Sequence, residues 1–418
     1  MGYYVNTSNH HIMCFCCGDH TFDLEANPSD CDRGKHTDCA ALTGVLDPAT
    51  AFSDFANTTV IFFMSLLVVG GAIFKTGLAD FIGEKIIGLI GRSEKGVILG
   101  ASFVAVLLSS VLNDTGTTGC LIPISGAMGR KAGVHLSKIY MALAFFASLG
   151  GTIPLIGAGN HIVAQGFLEN LGMEGFSFFE FTPLGLPIAI AGFIYMYFFG
   201  IRLLPDREVS EEKDVALAEK KPAKMVIVAI VFLFIIYCMA SGLLAMHLAA
   251  AVGAILVVLT GCISVEDAVK QFSVSTLFLV AGIFPLSTAM SSSGAAEYII
   301  SALSSNLTGL HPFFVVAFTF ALAVVGTQFM MGTSLTAILA PIAILIGQTC
   351  NVDPHALVMC VALGTSAAFC TPFGTGPNLL VWETGGYEFK DYFRVGLPMT
   401  VIFYIMGTVL IYLIYFVL

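Results

Sequence analysis

Residues Val111–Ile124 read VLNDTGTTGCLIPI, a polar knot in a chain otherwise built for an apolar solvent. Asp114 is the only carboxylate between Glu94 and Glu169. Apolar runs flank the knot, so an Asn, an Asp and three Thr must sit at membrane depth. An ionisable group there costs on the order of several kcal/mol unless it is compensated. Irregular backbone at that depth survives only where it is buried in protein or lines a cavity. The stretch Val97–Gly129 is therefore expected to enter and leave the membrane on one side, as a re-entrant hairpin with the knot at its tip.

Composition agrees with this setting. Of 418 residues, 57% are hydrophobic and 11% charged. A soluble domain carries about a quarter charged residues, so the chain is expected to be a polytopic membrane protein. Apolar runs approaching or reaching the roughly 20 residues needed to span a bilayer occur at Asn57–Phe74, Met225–Leu243, Leu248–Ile263 and Val395–Leu418. The net charge of −10 says little about orientation, which follows Lys and Arg placement. No basic stripe with interleaved aromatics exists, which excludes a nucleic-acid partner. No Ser/His/Asp constellation, HExxH motif or P-loop appears, so no enzyme is expected.

The chain also repeats itself. Phe55–Ile82 aligns without gaps on Phe272–Ile299 at an offset of 217, and the same offset places LTG at Leu42 on LTG at Leu259. After one inserted residue Pro123 pairs with Pro341. The loop GTIPLIGAGN ending at Asn160 then pairs with CTPFGTGPN ending at Asn378, each 37 residues beyond its proline. Such self-similarity marks a duplicated unit. The first repeat spans 40–204 and a charged cytoplasmic linker 205–224. A connecting helix and the second repeat fill 225–418.

Residues 1–39 stand apart, with five of the eleven cysteines and four of the nine histidines. Their spacing fits no zinc template, and an apolar signal core is lacking. The second repeat has an apolar helix before its LTG where the first has NPSDCDRGKHTDCAA. The segment therefore reads as an atypical or misread N-terminus that lacks an expected helix.

With Asn57–Phe74 running inward, every Lys and Arg after residue 40 falls on the cytoplasmic side. That path needs a second re-entrant stretch near Pro312–Gln348, entering from the opposite face. The fold class expected is thus all-α, with two inverted repeats, each carrying a re-entrant hairpin and a broken helix. This is the architecture of secondary transporters, which bind near the bilayer midplane.

Four irregular places would meet there. The first tip offers Ser109, Asn113, Asp114, Thr115, Gly116 and Thr117, and the second Thr327, Gly332, Thr333, Ser334 and Thr336. The broken helices offer Thr152, Gly157, Gly159 and Asn160, then Thr371, Gly374, Thr375 and Asn378. Hydroxyls, amide oxygens and freed carbonyls suit a small hard cation such as Na+. Helix N-termini beginning at the breaks suit an anion. Interleaved cation and anion ligands imply coupled transport.

LNDTG at the first tip, GTGPNLLV at the second break and the following GGYEFKDYFRVGLP resemble the divalent anion/sodium symporter family, over roughly residues 40–418. The resemblance implies an elevator-type homodimer in the bacterial inner membrane. It would carry dicarboxylate, citrate or sulfate inward with Na+ and use no organic cofactor. It implies one Na+ site from Ser109, Asn113, Asp114 and the loop at Gly157. A twin site would use Thr327, the Met330 backbone, Gly332 and Gly374. The anion would meet Thr115 and Thr333, with Asn113, Thr375, Asn160 and Asn378 also in the substrate set. The alternatives are a carrier of the same fold with proton coupling or exchange, or an arsenite-type permease.

Two positions depart from the family pattern. Asp114 stands where the family has an amide, and Met331-Gly332-Thr333 lacks the amide of the second tip. Asp114 is therefore expected to be a Na+ ligand or a protonatable coupling residue. Asn160 and Asn378 are expected mainly to brace the breaks, and His161 to be a satisfied interior histidine. Trp382, Tyr387 and Tyr392 are expected to form an interfacial belt.

Overall fold

Apolar segments in an apolar solvent must satisfy every backbone N–H and C=O internally, and the helix does so within one segment. The computed structural model describes residues 57–90, 93–207, 221–272 and 309–418, and all regular structure among them is helical. Residues 1–39, most of the linker and the second copy of the aligned repeat (273–299) lie outside the described residues.

Helices α1 (Thr58–Lys75) and α2 (Leu78–Ile90) lead into a helical hairpin, α3 (Glu94–Ser109) and α4 (Asp114–Ala132). The turn between them is the polar knot. Asn113 stops the chain from running straight through, because its Oδ1 accepts from Gly116 N at 2.9 Å and so caps a new helix. Gly133, at φ 69°, ends α4 in the left-handed conformation that a side chain would disfavour. Next come α5 (Leu136–Gly151), a single turn at Leu155–Gly157, and α6 (Gly159–Asn170). Helix α7 (Thr182–Tyr195) continues through a wider turn to Leu203.

The second half follows the same order. After α8 (Pro222–Ser241), α9 (Met246–Leu259) and the short α10 (Val265–Lys270), a hairpin forms from α11 (Pro312–Gly326) and α12 (Gly332–Cys350). Helix α13 (Pro354–Gly364) then breaks before α14 (Gly376–Gly385), and α15 (Phe389–Phe416) completes the chain. Among the described residues, α1, α7 with its continuation, α8, α12 and α15 are long and apolar enough to cross a membrane.

Burial separates the two kinds of helix. Ile139–Ala147 of α5 and Ala356–Leu363 of α13 are buried on every side, as expected for helices apolar all round at the centre of a bundle. On α8 one stripe, Val226, Ile230, Leu233 and Tyr237, is about 60% exposed or more, while Val228 and Ile235 are fully buried. That stripe is the surface an apolar solvent would wet. The chain is an integral membrane protein.

Packing crosses between the halves: α4 lies against α14, and α12 against α6. Helices α1, α8 and α9 pack on one another, and α1 also packs on α2, α6 and α10. Polar ties close the ends. Arg207 pairs with Glu388 at 2.9 Å and Asp391 at 3.0 Å, fixing the start of α15 beside the exit of α7. At the other end Glu180 accepts from Ser177 N, Tyr415 Oη and His355 Nε2, at 2.8, 2.5 and 2.7 Å.

Two aromatic expectations need correction. Tyr387 and Tyr392 are buried, not interfacial, because each hydroxyl finds a backbone acceptor inside the bundle: Ser137 O for Tyr387 and Asn378 O for Tyr392. Trp382 packs beside Tyr392, with ring centroids 5.7 Å apart. His161 is buried and stacks on Phe181 at 4.0 Å, but neither ring nitrogen has a hydrogen-bond partner among the described residues, so it is not the satisfied histidine expected.

Candidate functional site

Both hairpin tips and both helix breaks meet at one cavity of about 340 Å³. Asn113, Asp114 and Thr115 line it from the first tip, and Met331, Gly332 and Thr333 from the second. Gly157, Gly159 and Asn160 come from one break, and Gly374, Thr375 and Gly376 from the other. The opposite wall is α1, from Phe63 to Phe74. Residues more than 200 positions apart in sequence therefore share one site.

Close backbone approach makes the convergence possible. A side chain at Gly376 would collide with Thr115, and one at Gly374 with the Thr327 carbonyl. At the other tip, Thr333 Cγ2 lies 3.1 Å from where a Gly159 Cβ would stand. Each tip threonine thus rests on the helix start of the other half.

Asn160 carries the strongest link. Its Nδ2 donates to Ala362 O at 2.7 Å and to Thr365 Oγ1 and Ser366 Oγ, both at 2.9 Å. The second break is held in turn from its own hairpin. Thr327 Oγ1 donates to Thr365 O at 2.9 Å, and Gly332 N to Gly374 O at 3.1 Å. Gln328 donates to Ala367 O at 2.8 Å and accepts from Cys370 N at 3.0 Å. Asn378 Nδ2 donates to Ala368 O and Thr371 O, at 2.6 and 3.0 Å.

The cavity's electrostatics come from backbone. Helices α4, α6, α12 and α14 all begin at its wall. Each start carries roughly half a positive charge and free N–H groups. Asp114 is the only titratable side chain lining the cavity among the described residues. Its Oδ1 accepts from Thr115 N at 2.7 Å and Thr115 Oγ1 at 3.2 Å, so it sits on the positive start of its own helix.

Of the residues the sequence singled out, Asn113, Asp114, Thr115, Gly157, Asn160, Gly332, Thr333, Gly374 and Thr375 line the cavity. Ser109, Thr327, Met330 and Asn378 do not, and lie around it. Ser109 Oγ, Thr117 Oγ1, Thr375 Oγ1 and Asn378 Oδ1 are buried without a hydrogen-bond partner among the described residues. A buried polar atom left so costs about 1–3 kcal/mol, and these four flank the tips and breaks where a cation would sit. The donor set fits such an ion. Thr365, Ser366, Gln328 and the α1 wall went unread in the sequence. Their one signal was a polar side chain in an apolar stretch, and it is available only for the first three.

The citrate transporter family profile matches residues 33–364. An uncharacterized transporter of Synechocystis is 20% identical, over 90% of this chain and 92% of the relative. A sodium-dependent high-affinity dicarboxylate transporter of Caenorhabditis elegans is 24% identical over 85% of this chain and 74% of its own. Sodium/sulfate cotransporter 1 of Chlamydomonas reinhardtii is 29% identical over 42% of this chain and 20% of its own. The crystal structure of the Alcanivorax borkumensis YdaH transporter superposes with a TM-score of 0.65 at 12% identity, covering 98% of this chain and 97% of that one. The chain therefore belongs to the citrate transporter family, of the divalent anion/sodium symporter type that its tip and break motifs resemble.

Proposed function

We propose that this chain is a Na+-coupled symporter of a small anion of the dicarboxylate, citrate or sulfate class. The observation that carries the reading is the convergence of four helix N-termini on one cavity whose remaining polar groups are hydroxyls, amides and one carboxylate. The N–H groups would take the anion. Thr115, Thr333, Thr375 and Asn113 stand beside them, while Asn160 and Asn378 hold the breaks in place. Na+ would travel as co-substrate on the oxygens of Ser109, Asn113, Asp114 and the Gly157 turn. A second ion would use Thr327, Gly332, Gly374 and the Met330 carbonyl. Asp114 beside an anion is tolerable only with a cation between them.

The duplication, and a Lys/Arg placement that has the two hairpins enter from opposite faces, support inverted repeats. The mutual packing of α1, α8 and α9 supports an elevator, in which tips and breaks move as one body past that group. The resemblance supports a homodimer in the bacterial inner membrane. Asp114, standing where the family has an amide, favours one second reading: a carrier of this fold that couples to protons through that carboxyl.

A ligand that binds only the folded protein stabilises it by roughly 2.7 kcal/mol at a hundred times its Kd. Thermal unfolding of the purified protein should therefore shift upward with succinate, citrate or sulfate when NaCl is present, and much less with choline chloride. A shift that ignores Na+ would contradict Na+ coupling.

A further inference from the structure

Every polar side chain lining the cavity belongs to a tip or a break, with one exception among the described residues. Gln271, just past the short helix α10, lines the cavity from the side of α1. Its neighbours on that wall, among them Leu67, Gly70 and Phe74, offer an anion nothing. Gln271 reaches this position because Gly71 has no side chain, since a Cβ there would collide with the Gln271 Cγ. Lys75 pairs with Asp267 at 3.2 Å, which locks α10 to the end of α1 and fixes where Gln271 starts. The carboxamide's Nε2 donates to Asp267 O over 3.4 Å, a bond long enough to give up easily.

We propose that Gln271 is an affinity-setting contact for the transported anion, donating its Nε2–H to a carboxylate or sulfate oxygen from the wall opposite the helix N-termini. This rests on the anion-symport reading above. It adds that the end of α10, packed on α1, contributes a substrate ligand, and does so on one side of the membrane only. When tips and breaks move past α1, they leave Gln271 behind. The contact therefore belongs to the state in which the cavity faces the Lys75 end of α1, the cytoplasmic end by the Lys/Arg rule.

The test compares right-side-out and inside-out membrane vesicles containing the full chain, with labelled succinate, citrate and sulfate as probes. One neutral hydrogen bond corresponds to about a 3- to 10-fold change in affinity. Gln271→Ala should raise the KM measured at the cytoplasmic face by about that factor. It should leave the external KM and the Na+ half-saturation within twofold. Gln271→Glu, which places a carboxylate against the anion and keeps the packing on Gly71, should raise the cytoplasmic KM further with the same sidedness. Wild-type-like KM values at both faces in both variants would overturn the proposal, and so would an equal rise at both faces. Absence of anion uptake by wild-type vesicles would instead overturn the symport reading on which it rests.

Discussion

Asp114 concentrates the chemistry at the scale of a single residue. Its carboxylate lines the cavity and leans on the start of α4. Replacing it with Asn keeps the size and the cap-like hydrogen bond and removes only the charge. Asp114→Asn should weaken the apparent Na+ affinity of transport about tenfold, or abolish its pH dependence if protons are the coupling ion. Uptake kinetics against Na+ and against pH separate these outcomes, and an unchanged dependence on both would contradict a coupling role. Asn160 does different work, because its amide holds three acceptors of the other break. Asn160→Ala should cost about 1–3 kcal/mol of stability by removing the donor that ties α6 to the other half, read as a lowered unfolding temperature in detergent. The polar knot and the breaks at Gly157 and Gly374 were legible in the sequence, because a polar cluster in an apolar run has few structural explanations; the capping role of Asn113 was not. Thr365, Ser366 and Gln271 were not, because each is an ordinary polar residue whose meaning comes only from what the other half places beside it.

The element that most rewards attention is the start of α14, packed against the first hairpin. Gly376→Ala should push Thr115 away and loosen both, lowering stability. Thr115→Ala on the same chain should return part of the loss, because the Oγ1 and Cγ2 atoms that clash are removed. A double-mutant cycle of unfolding free energies should then show coupling, where independent sites would add within roughly 0.3–0.5 kcal/mol. The outer loop before α7 has its own signature. Burial pushes the Glu180 carboxyl up, but hydrogen bonds from His355, Tyr415 and Ser177 outweigh it and hold the group below its ordinary value of 4.5. A depressed carboxyl pKa contributes stability that is present above pH 4.5 and is lost as pH falls through the lower folded value. Unfolding temperature should therefore drop below about pH 4.5, and Glu180→Gln should flatten that drop while lowering stability at neutral pH. Periodicity could find helices here, but it could not place Tyr387 and Tyr392. An interfacial and a buried aromatic look alike in sequence until the backbone acceptor for the hydroxyl is known.

Over the whole molecule, two sets of tip and break residues, one from each half of the chain, build one site. Each half supplies a hairpin tip and a broken helix, the first tip capped by Asn113 and the second without a side-chain cap, and neither half alone encloses the cavity. The most direct measurement is uptake of labelled succinate, citrate and sulfate into proteoliposomes, driven first by an inward Na+ gradient and then by a proton gradient alone. The account predicts accumulation of one of these anions that needs the Na+ gradient. Accumulation that follows protons and ignores Na+, or no accumulation of any of the three, would contradict it.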